Sequence, residues 1–192
     1  MGITTDDFFV KIYNVLFSPK EFFENKDEKV SLRLALGTLV ATTIITQTCI
    51  AITNKEIYSI SFALILALKI VGTIFYWFIS ALFFEYVAKI FSNENNLKKV
   101  LYFTAFVPLP YIFFAPLNLL KGANNIGHII GSNAEFLLYL WIICLYAYAL
   151  KSSYNISIAR AFMLLSIPFL GIFFALNWGI GFISKFCYIF SI

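Results

Sequence analysis

Residues 59–91 have the sequence SISFALILALKIVGTIFYWFISALFFEYVAKIF, in which only Lys69, Glu85 and Lys89 carry a charge. A helix needs about 20 predominantly apolar residues to cross about 30 Å of hydrocarbon, so this run is long enough to span a bilayer. Four more apolar runs cover residues 31–53, 100–120, 134–150 and 161–190. The sequence therefore predicts an all-α integral membrane bundle of five transmembrane helices.

The composition also indicates a membrane protein. Of the 192 residues, 61% are hydrophobic and 12% are charged. A soluble domain is typically about 45–50% apolar and about 25% charged. Folding alone cannot hide this much apolar surface from water, so the bilayer must cover the remainder.

The polar residues lack the pattern of an active site, a metal site or a nucleic-acid interface. The net charge is +4, but the sequence has no basic stripe with interleaved aromatic residues. Cys49, Cys144 and Cys187 lie in apolar runs without CxxC spacing, and His128 is the only histidine. No Ser/His, His-cluster or paired-carboxylate arrangement occurs within the spans. We expect a non-enzymatic protein without cofactor or metal, whose partners are lipids, other membrane proteins or a second copy, and not nucleic acid.

Residues 1–30 form a polar or amphipathic arm before the membrane domain of residues 31–192. Thr5–Phe17 is predicted to be an amphipathic helix, because its polar and apolar positions fall on different arcs at 100° per residue. Ser18 suits an N-cap and Pro19 the first helical position, so a second short helix with Phe22 and Phe23 should follow. We expect residues 5–23 to lie as an interfacial helix in the headgroup region. A docking surface for a partner protein is the alternative.

The basic residues predict the orientation of the chain. Cytoplasmic loops of membrane proteins carry the excess of Lys and Arg. With a cytoplasmic N-terminus, ten basic residues flank the cytoplasmic ends of the spans and three flank the outer ends. The ten are Lys11, Lys20, Lys26, Lys29, Arg33, Lys89, Lys98, Lys99, Lys151 and Arg160, and the three are Lys55, Lys121 and Lys185. We expect a multi-pass protein of the bacterial cytoplasmic membrane, with its N-terminus inside and its C-terminus outside.

Lys69 lies inside the second span, where a charge costs about 2.5–3.5 kcal/mol on insertion scales. Thr73, Tyr76 and Ser80 follow on the same helical face. One interpretation is a lysine that snorkels to the outer headgroups. The other is an inward-facing residue that serves a binding site or only the packing of the bundle, and the polar neighbours favour this orientation. Glu85 precedes Lys89 by four residues, which predicts an ion pair at the end of the span.

Three prolines, Pro108, Pro110 and Pro116, interrupt the third span. Each removes one backbone hydrogen bond and clashes one turn back. The carbonyl groups that lose their usual donors are those of Thr104, Phe106 and Ile112. In lipid this is tolerated only where other groups satisfy the carbonyls, so we predict a kinked or broken helix packed inside the bundle.

Polar groups recur at one depth, eight or nine residues from the outer ends of the spans. They are the side chains of Thr46, Gln47, Lys69 and Asn177 and the carbonyl group of Ile112. A hydrogen-bonded layer that holds the bundle together is the interpretation we favour, and a binding cavity is the alternative. Small residues at every fourth position also predict close helix contacts, within the bundle or between copies, namely at Gly37 with Ala41 and at Gly171 with Ala175 and Gly179.

The order of these features resembles the Yip domain family (Ypt-interacting proteins) over nearly the whole chain. The resemblance rests on LFSPKEFF at residues 16–23, on Tyr102 with Pro108 and Pro110, on Trp141, and on Ser157 with Arg160 and Ala161. It implies five spans and a cytoplasmic N-terminus. Eukaryotic relatives act in vesicle transport with Rab-type GTPases. Their Asp-Leu-Tyr-Gly-Pro-like segment is absent here and the arm is short, so the chain is similar to a short prokaryotic member.

Two functions remain open from the sequence. The first is a non-enzymatic membrane scaffold or adaptor, in membrane organisation or trafficking, that acts through its arm and its helix packing. The second is a small permease or lipid-handling protein that uses the polar level around Lys69. A water-filled cavity reaching Lys69 would favour the second function, and a dry bundle would favour the first.

Overall fold

The computed structural model describes residues 5–25, 30–53, 60–90, 96–168 and 170, and every regular element among them is helical. The predicted all-α membrane bundle is therefore confirmed. The elements are α1 (Thr5–Phe17), α2 (Pro19–Glu24), α3 (Leu32–Thr53), α4 (Ile60–Ala88), α5 (Leu97–Thr104), a 3-10 helix (Leu109–Phe113), α6 (Phe114–Ala123), α7 (Asn125–Tyr154) and α8 (Ile158–Pro168).

Four segments of the described chain are long and apolar enough to cross a membrane. They are Leu32–Ile52, Phe62–Ala88, Leu97–Ala123 and Asn125–Tyr154. The predicted fifth span, residues 161–190, begins within α8, and most of it lies outside the described residues, together with Asn177, Cys187 and the small residues from Gly171 to Gly179.

The third span is broken at its prolines, as their spacing predicts. The α-helix α5 ends at Thr104, and the chain continues through the 3-10 helix before α6 begins at Phe114. Two of the carbonyls expected to lose donors accept from nearer amides instead. The Val107 N–H donates to the Thr104 oxygen at 3.3 Å, and the Leu109 N–H donates to the Phe106 oxygen at 3.1 Å. Tighter turns therefore satisfy the backbone that proline frees.

The broken span lies at the centre of the bundle. Its apolar window is 67% buried, whereas that of α4 is 0% buried. In particular, α5 contacts α3, α4 and α7, and the 3-10 helix contacts α1, α3, α6 and α7. The irregular backbone is thus surrounded by protein, which is the setting that non-helical chain needs at membrane depth.

A tight helical hairpin joins α6 to α7 at the end of the bundle opposite the arm. Asn124 alone separates the two helices, and its side chain caps α7 by accepting from the Gly127 N–H at 2.7 Å. Glycine is required at this crossing, because a Cβ on Gly127 would lie 2.3 Å from the Leu120 carbonyl oxygen. Lys121 and Glu135 form an ion pair across the same hairpin. The helix α7 begins at Asn125, well before the start predicted for the fourth span at Ala134. The polar residues after Asn124 are therefore helical and not part of a loop.

The small residues Gly37 and Ala41 of α3 make no close contact within the described bundle, and a contact between copies stays a prediction. Both are exposed, and a Cβ on Gly37 would meet nothing within 4 Å. The inner face of α3 carries Ala35, Thr38, Leu39 and Thr42 instead, all of them buried. In the described residues, the small residues at a helix crossing are Gly127 and Gly131 of α7, which lie against α6. No span was predicted for this stretch.

Candidate functional site: the docked arm

The arm is bound to the bundle through α2. This helix begins at Pro19, as predicted, and the Ser18 carbonyl oxygen accepts from the Glu21 and Phe22 amides at 3.0 and 3.2 Å. The predicted cap by the Ser18 side chain is wrong, since that hydroxyl makes no capping bond. Phe22 and Phe23 are only 3% and 0% exposed. The apolar side of α2 therefore packs against protein and not lipid. The position of residues 5–23 at the depth of the headgroups stays a prediction.

An aromatic cluster receives these two phenylalanines. The Phe22 ring lies 5.8 Å from Phe103 and 5.1 Å from Phe106, and the Phe23 ring lies 5.4 Å from Phe103. Tyr102 closes the cluster at 5.3 Å from Phe106. Edge-to-face pairs of this kind are worth about 0.5–1.5 kcal/mol each beyond the area they bury. Phe103 and Phe106, three residues apart at the end of α5, both face the arm.

One polar contact holds each of the two helices of the arm. The Lys11 ammonium group of α1 donates to the Tyr102 hydroxyl at 3.2 Å. Glu24, the last residue of α2, forms an ion pair with Lys151 in the last turn of α7. The hydrogen bond from Lys151 lowers the pKa of Glu24 below its ordinary value of 4.5. Glu24 therefore favours docking in its ionised form.

A second polar contact joins α4 to the end of α7. The buried Tyr154 donates its hydroxyl hydrogen to the Glu85 carboxylate at 3.0 Å. The predicted partner of Glu85 was Lys89, and this prediction is wrong. Lys89 is exposed, because Phe84, Val87 and Ala88 turn the inner face of α4 toward α5 and α7.

The turn from α7 to α8 begins beside this contact. Asn155 adopts a left-handed conformation, with φ 50° and ψ 35°, which ends α7. Ser157 then caps α8, accepting from the Arg160 N–H at 3.4 Å through its hydroxyl and from the Ala161 N–H at 3.0 Å through its carbonyl. Ala161 is fully buried. Asparagine suits this backbone because its short polar side chain tolerates the left-handed region.

The polar stripe predicted on the second span lies on the outer side of α4. Lys69 and Tyr76 are exposed, while Thr73 is half-buried and the Ser80 hydroxyl donates to the Trp77 carbonyl at 2.9 Å. The inward orientation expected for Lys69 is therefore wrong. The inner face of α4 is centred near Trp77, which lies about 80° around the helix from Lys69. Trp77 takes the inward place, and its indole N–H donates to the Thr104 hydroxyl at 3.1 Å.

The predicted polar level is only partly assembled in the described chain. Gln47 and Thr46 are half-buried on α3, and Ile112 is half-buried on the 3-10 helix. The Thr46 hydroxyl oxygen is buried and has no hydrogen-bond partner among the described residues. Lys69 does not join this level on the inside. Within the described ranges, no group of three His, Cys, Asp or Glu residues is placed to hold a metal ion.

Comparison with known protein families supplies a match over most of the chain. The Yip1 domain matches residues 13–179. The chain belongs to the Yip1 family. Neither the curated proteins nor the solved structures give a match to it.

The residues that carry the resemblance to other Yip1 proteins now have structural roles. Phe22 and Phe23 dock the arm, Tyr102 receives both Lys11 and the aromatic cluster, and Pro108 and Pro110 end α5. Ser157 caps α8. Trp141 is the exception, since it is 36% exposed on α7 away from this cluster. Most of the Yip1 motif positions therefore build one region around the arm.

Sequence reasoning missed several residues of this region. Phe103, Phe106, Glu24 and Lys151 complete the docking site, and Tyr154 completes the contact with Glu85. A weak signal was available for one pair, because Glu24 and Lys151 are opposite charges at the ends of segments predicted on the same side of the membrane.

Proposed function

We propose that this Yip1-family protein is a non-enzymatic membrane scaffold or adaptor whose working part is the docked arm. The observation that carries the proposal is the burial of Phe22 and Phe23 in the aromatic cluster, with the ion pair from Glu24 to Lys151 beside it. A segment fixed at these points has a defined surface, and a defined surface costs a partner less ordering entropy than a flexible tail does.

The surface offered to a partner protein is the polar side of α2. Lys20 and Glu21 are exposed on this side, while Phe22 and Phe23 face the bundle. Lys98 of α5 is also exposed. Exposed charges of both signs favour selective encounter with a complementary partner, which is how adaptors discriminate between partners. The proposal places this surface in the cytoplasm, where the excess of Lys and Arg predicts the arm to lie.

A small permease or lipid-handling protein is the competing function. Its one supporting observation is the buried Thr46 hydroxyl without a partner among the described residues. A polar atom of this kind accepts a ligand group or a water. The exposure of Lys69 and Tyr76 weighs against it, because the expected polar level is not gathered around one interior point.

Affinity capture in mild detergent, with proteins and lipids identified together, tests the proposal. We expect a defined set of membrane proteins in stoichiometric amounts with the wild type. Reversing both charges on α2, Lys20→Glu with Glu21→Lys, should abolish the set, while His128→Glu at the exposed opposite end should retain it. Bound lipid alone, together with solute flux in liposomes that His128→Glu retains and Lys69→Met abolishes, would overturn the adaptor function.

A further inference from the structure

The helix α1 has three sectors around its axis. Ile12, Val15 and Leu16 face the bundle and belong to the main apolar cluster or pack against it. Phe9, Val10, Tyr13 and Phe17 face away from the bundle and are 66%, 56%, 59% and 66% exposed. Between these apolar sectors lies a polar edge with Lys11 and Asn14, since successive residues are about 100° apart. The apolar arc is thus wider than the bundle can cover.

The outer sector is an apolar patch made of large side chains. The Tyr13 and Phe17 rings lie 4.9 Å apart, and Phe9 is next to the Phe8 ring at 5.8 Å. Within the described residues, the main packing partners of α1 are α2 and the 3-10 helix, and both lie on its inner side. Four adjacent exposed apolar side chains on one short helix are more than the scattered exposure that a water-facing helix shows.

The depth of α1 decides what covers this patch. Lys11 reaches Tyr102, which is inside the span Leu97–Ala123, and α1 also contacts the 3-10 helix further along that span. The helix therefore lies beside a membrane-spanning segment and does not project from it into water.

We propose that Phe9, Val10, Tyr13 and Phe17 insert into the boundary between lipid headgroups and acyl chains, so that α1 is an interfacial helix clamped to the bundle on its other side. Aromatic side chains with an apolar body favour this boundary. The four outer positions carry no charge, and the polar edge at Lys11 and Asn14 leaves one side of the helix for the polar headgroups and for Tyr102.

The clamp assigns different surroundings to the two helices of the arm. Phe22 and Phe23 of α2 are held by protein, so α1 alone contacts lipid through a defined set of side chains. This contact does not depend on the proposed adaptor function, because the patch involves neither Lys20 nor Glu21. A second copy of the chain or a partner protein on the patch would be a different interface, and the accessibility of the patch to small reagents distinguishes it from lipid.

Spin-label accessibility in the full-length protein tests the insertion. Single nitroxides are placed at Val10, Tyr13 or Phe17 after Cys49, Cys144 and Cys187 are replaced by Ala. The protein is reconstituted in vesicles of phosphatidylethanolamine and phosphatidylglycerol. Labels at Lys20, exposed on α2, and at Phe75, exposed in the middle of α4, provide the water-facing and lipid-facing controls.

We expect oxygen to relax the Val10 and Tyr13 labels more strongly than a water-soluble nickel complex does, as at Phe75 and opposite to Lys20. Greater nickel accessibility at Val10 and Tyr13 would overturn the insertion by placing the patch in water. Exclusion of both reagents would also overturn it, because protein would then cover the patch. Diluting the protein in lipid would identify that cover as a second copy if accessibility then rises.

Discussion

The ring of Phe23 in α2 lies 5.4 Å from the ring of Phe103 in α5, at an interplanar angle of 65°, and Phe23 is fully buried. This pair links the motif before the first span to the broken third span. It joins the arm to the most buried part of the bundle.

Replacing Phe23 by alanine should release the arm. Truncating a fully buried phenylalanine costs about 3–5 kcal/mol, and the loss falls on the docking of α2 because the transmembrane helices keep their own contacts. Hydrogen exchange in detergent should show faster exchange for residues 16–24 in Phe23→Ala. The matched control is Phe75→Ala, because Phe75 lies outside the arm on α4 and is 66% exposed. Equal acceleration in both variants would mean that the burial of Phe23 does not hold the arm.

Docking of the arm should weaken at acid pH. The pKa of Glu24 is lowered by its bond to Lys151, so its contribution is complete above its ordinary value of 4.5 and is lost as the pH falls through the lower folded value. Labels at Lys20 and Lys98, read by double electron–electron resonance, should show a broader distance distribution below pH 4.5. The variant Glu24→Gln should show a distribution that no longer changes in this window. A persistent pH response in Glu24→Gln would assign the titration to another group.

Gly127 at the α6–α7 crossing should tolerate no side chain. A Cβ at residue 127 meets a backbone carbonyl oxygen at 2.3 Å, so Gly127→Ala forces the helices apart. Overpacking of this kind typically costs about 1–3 kcal/mol, and the melting temperature in detergent should fall. Gly37→Ala is the control, since its Cβ meets nothing within 4 Å and alanine is the better helix former by about 1 kcal/mol. If Gly127→Ala melts like Gly37→Ala, the close crossing is absent.

Neutralising Lys69 and neutralising Lys121 should have different effects on the melting temperature in detergent. Lys69 is exposed on α4, so Lys69→Met removes an insertion cost of about 2.5–3.5 kcal/mol and should leave the melting temperature unchanged or raised. Lys121 pairs with Glu135 across the hairpin, so Lys121→Met leaves a half-buried carboxylate without its partner. This substitution should lower the melting temperature. A lower melting temperature for Lys69→Met would indicate that its ammonium group has a partner.

The orientation of the chain remains a prediction from its basic residues. A membrane-impermeant thiol reagent on intact cells should modify Ala123→Cys, in the turn of the hairpin, and spare Asn96→Cys, before α5. Both positions are exposed, and Ala123 leaves the cap by Asn124 intact. The background lacks the three native cysteines, and lysed cells provide the labelling control. Labelling of Asn96→Cys alone would reverse the topology.

The sequence predicts the membrane class and the broken third span well, because apolar length and proline act locally. It predicts the surroundings of single side chains poorly. A helical wheel cannot distinguish protein from lipid, since both select Phe22, Phe23 and Phe17 for the same apolar character. The polar neighbours of Lys69 also predicted an inward orientation for this residue, whereas the large Trp77 occupies the inward position. Gly127 was missed because glycine and asparagine next to Lys121 are typical of a loop.

The ion pair between Glu24 and Lys151 joins residues 127 positions apart. At about 5–20 residues per second, a ribosome needs roughly 6–25 s to make the chain between them. Phe22 and Phe23 are synthesised before Phe103 and Phe106, the rings that bury them, and Lys151 is made later still. Until the third span is inserted, the bilayer surface or a chaperone must cover the two phenylalanines. The arm is made before the helices that bury it, so it is among the last parts to reach its final position.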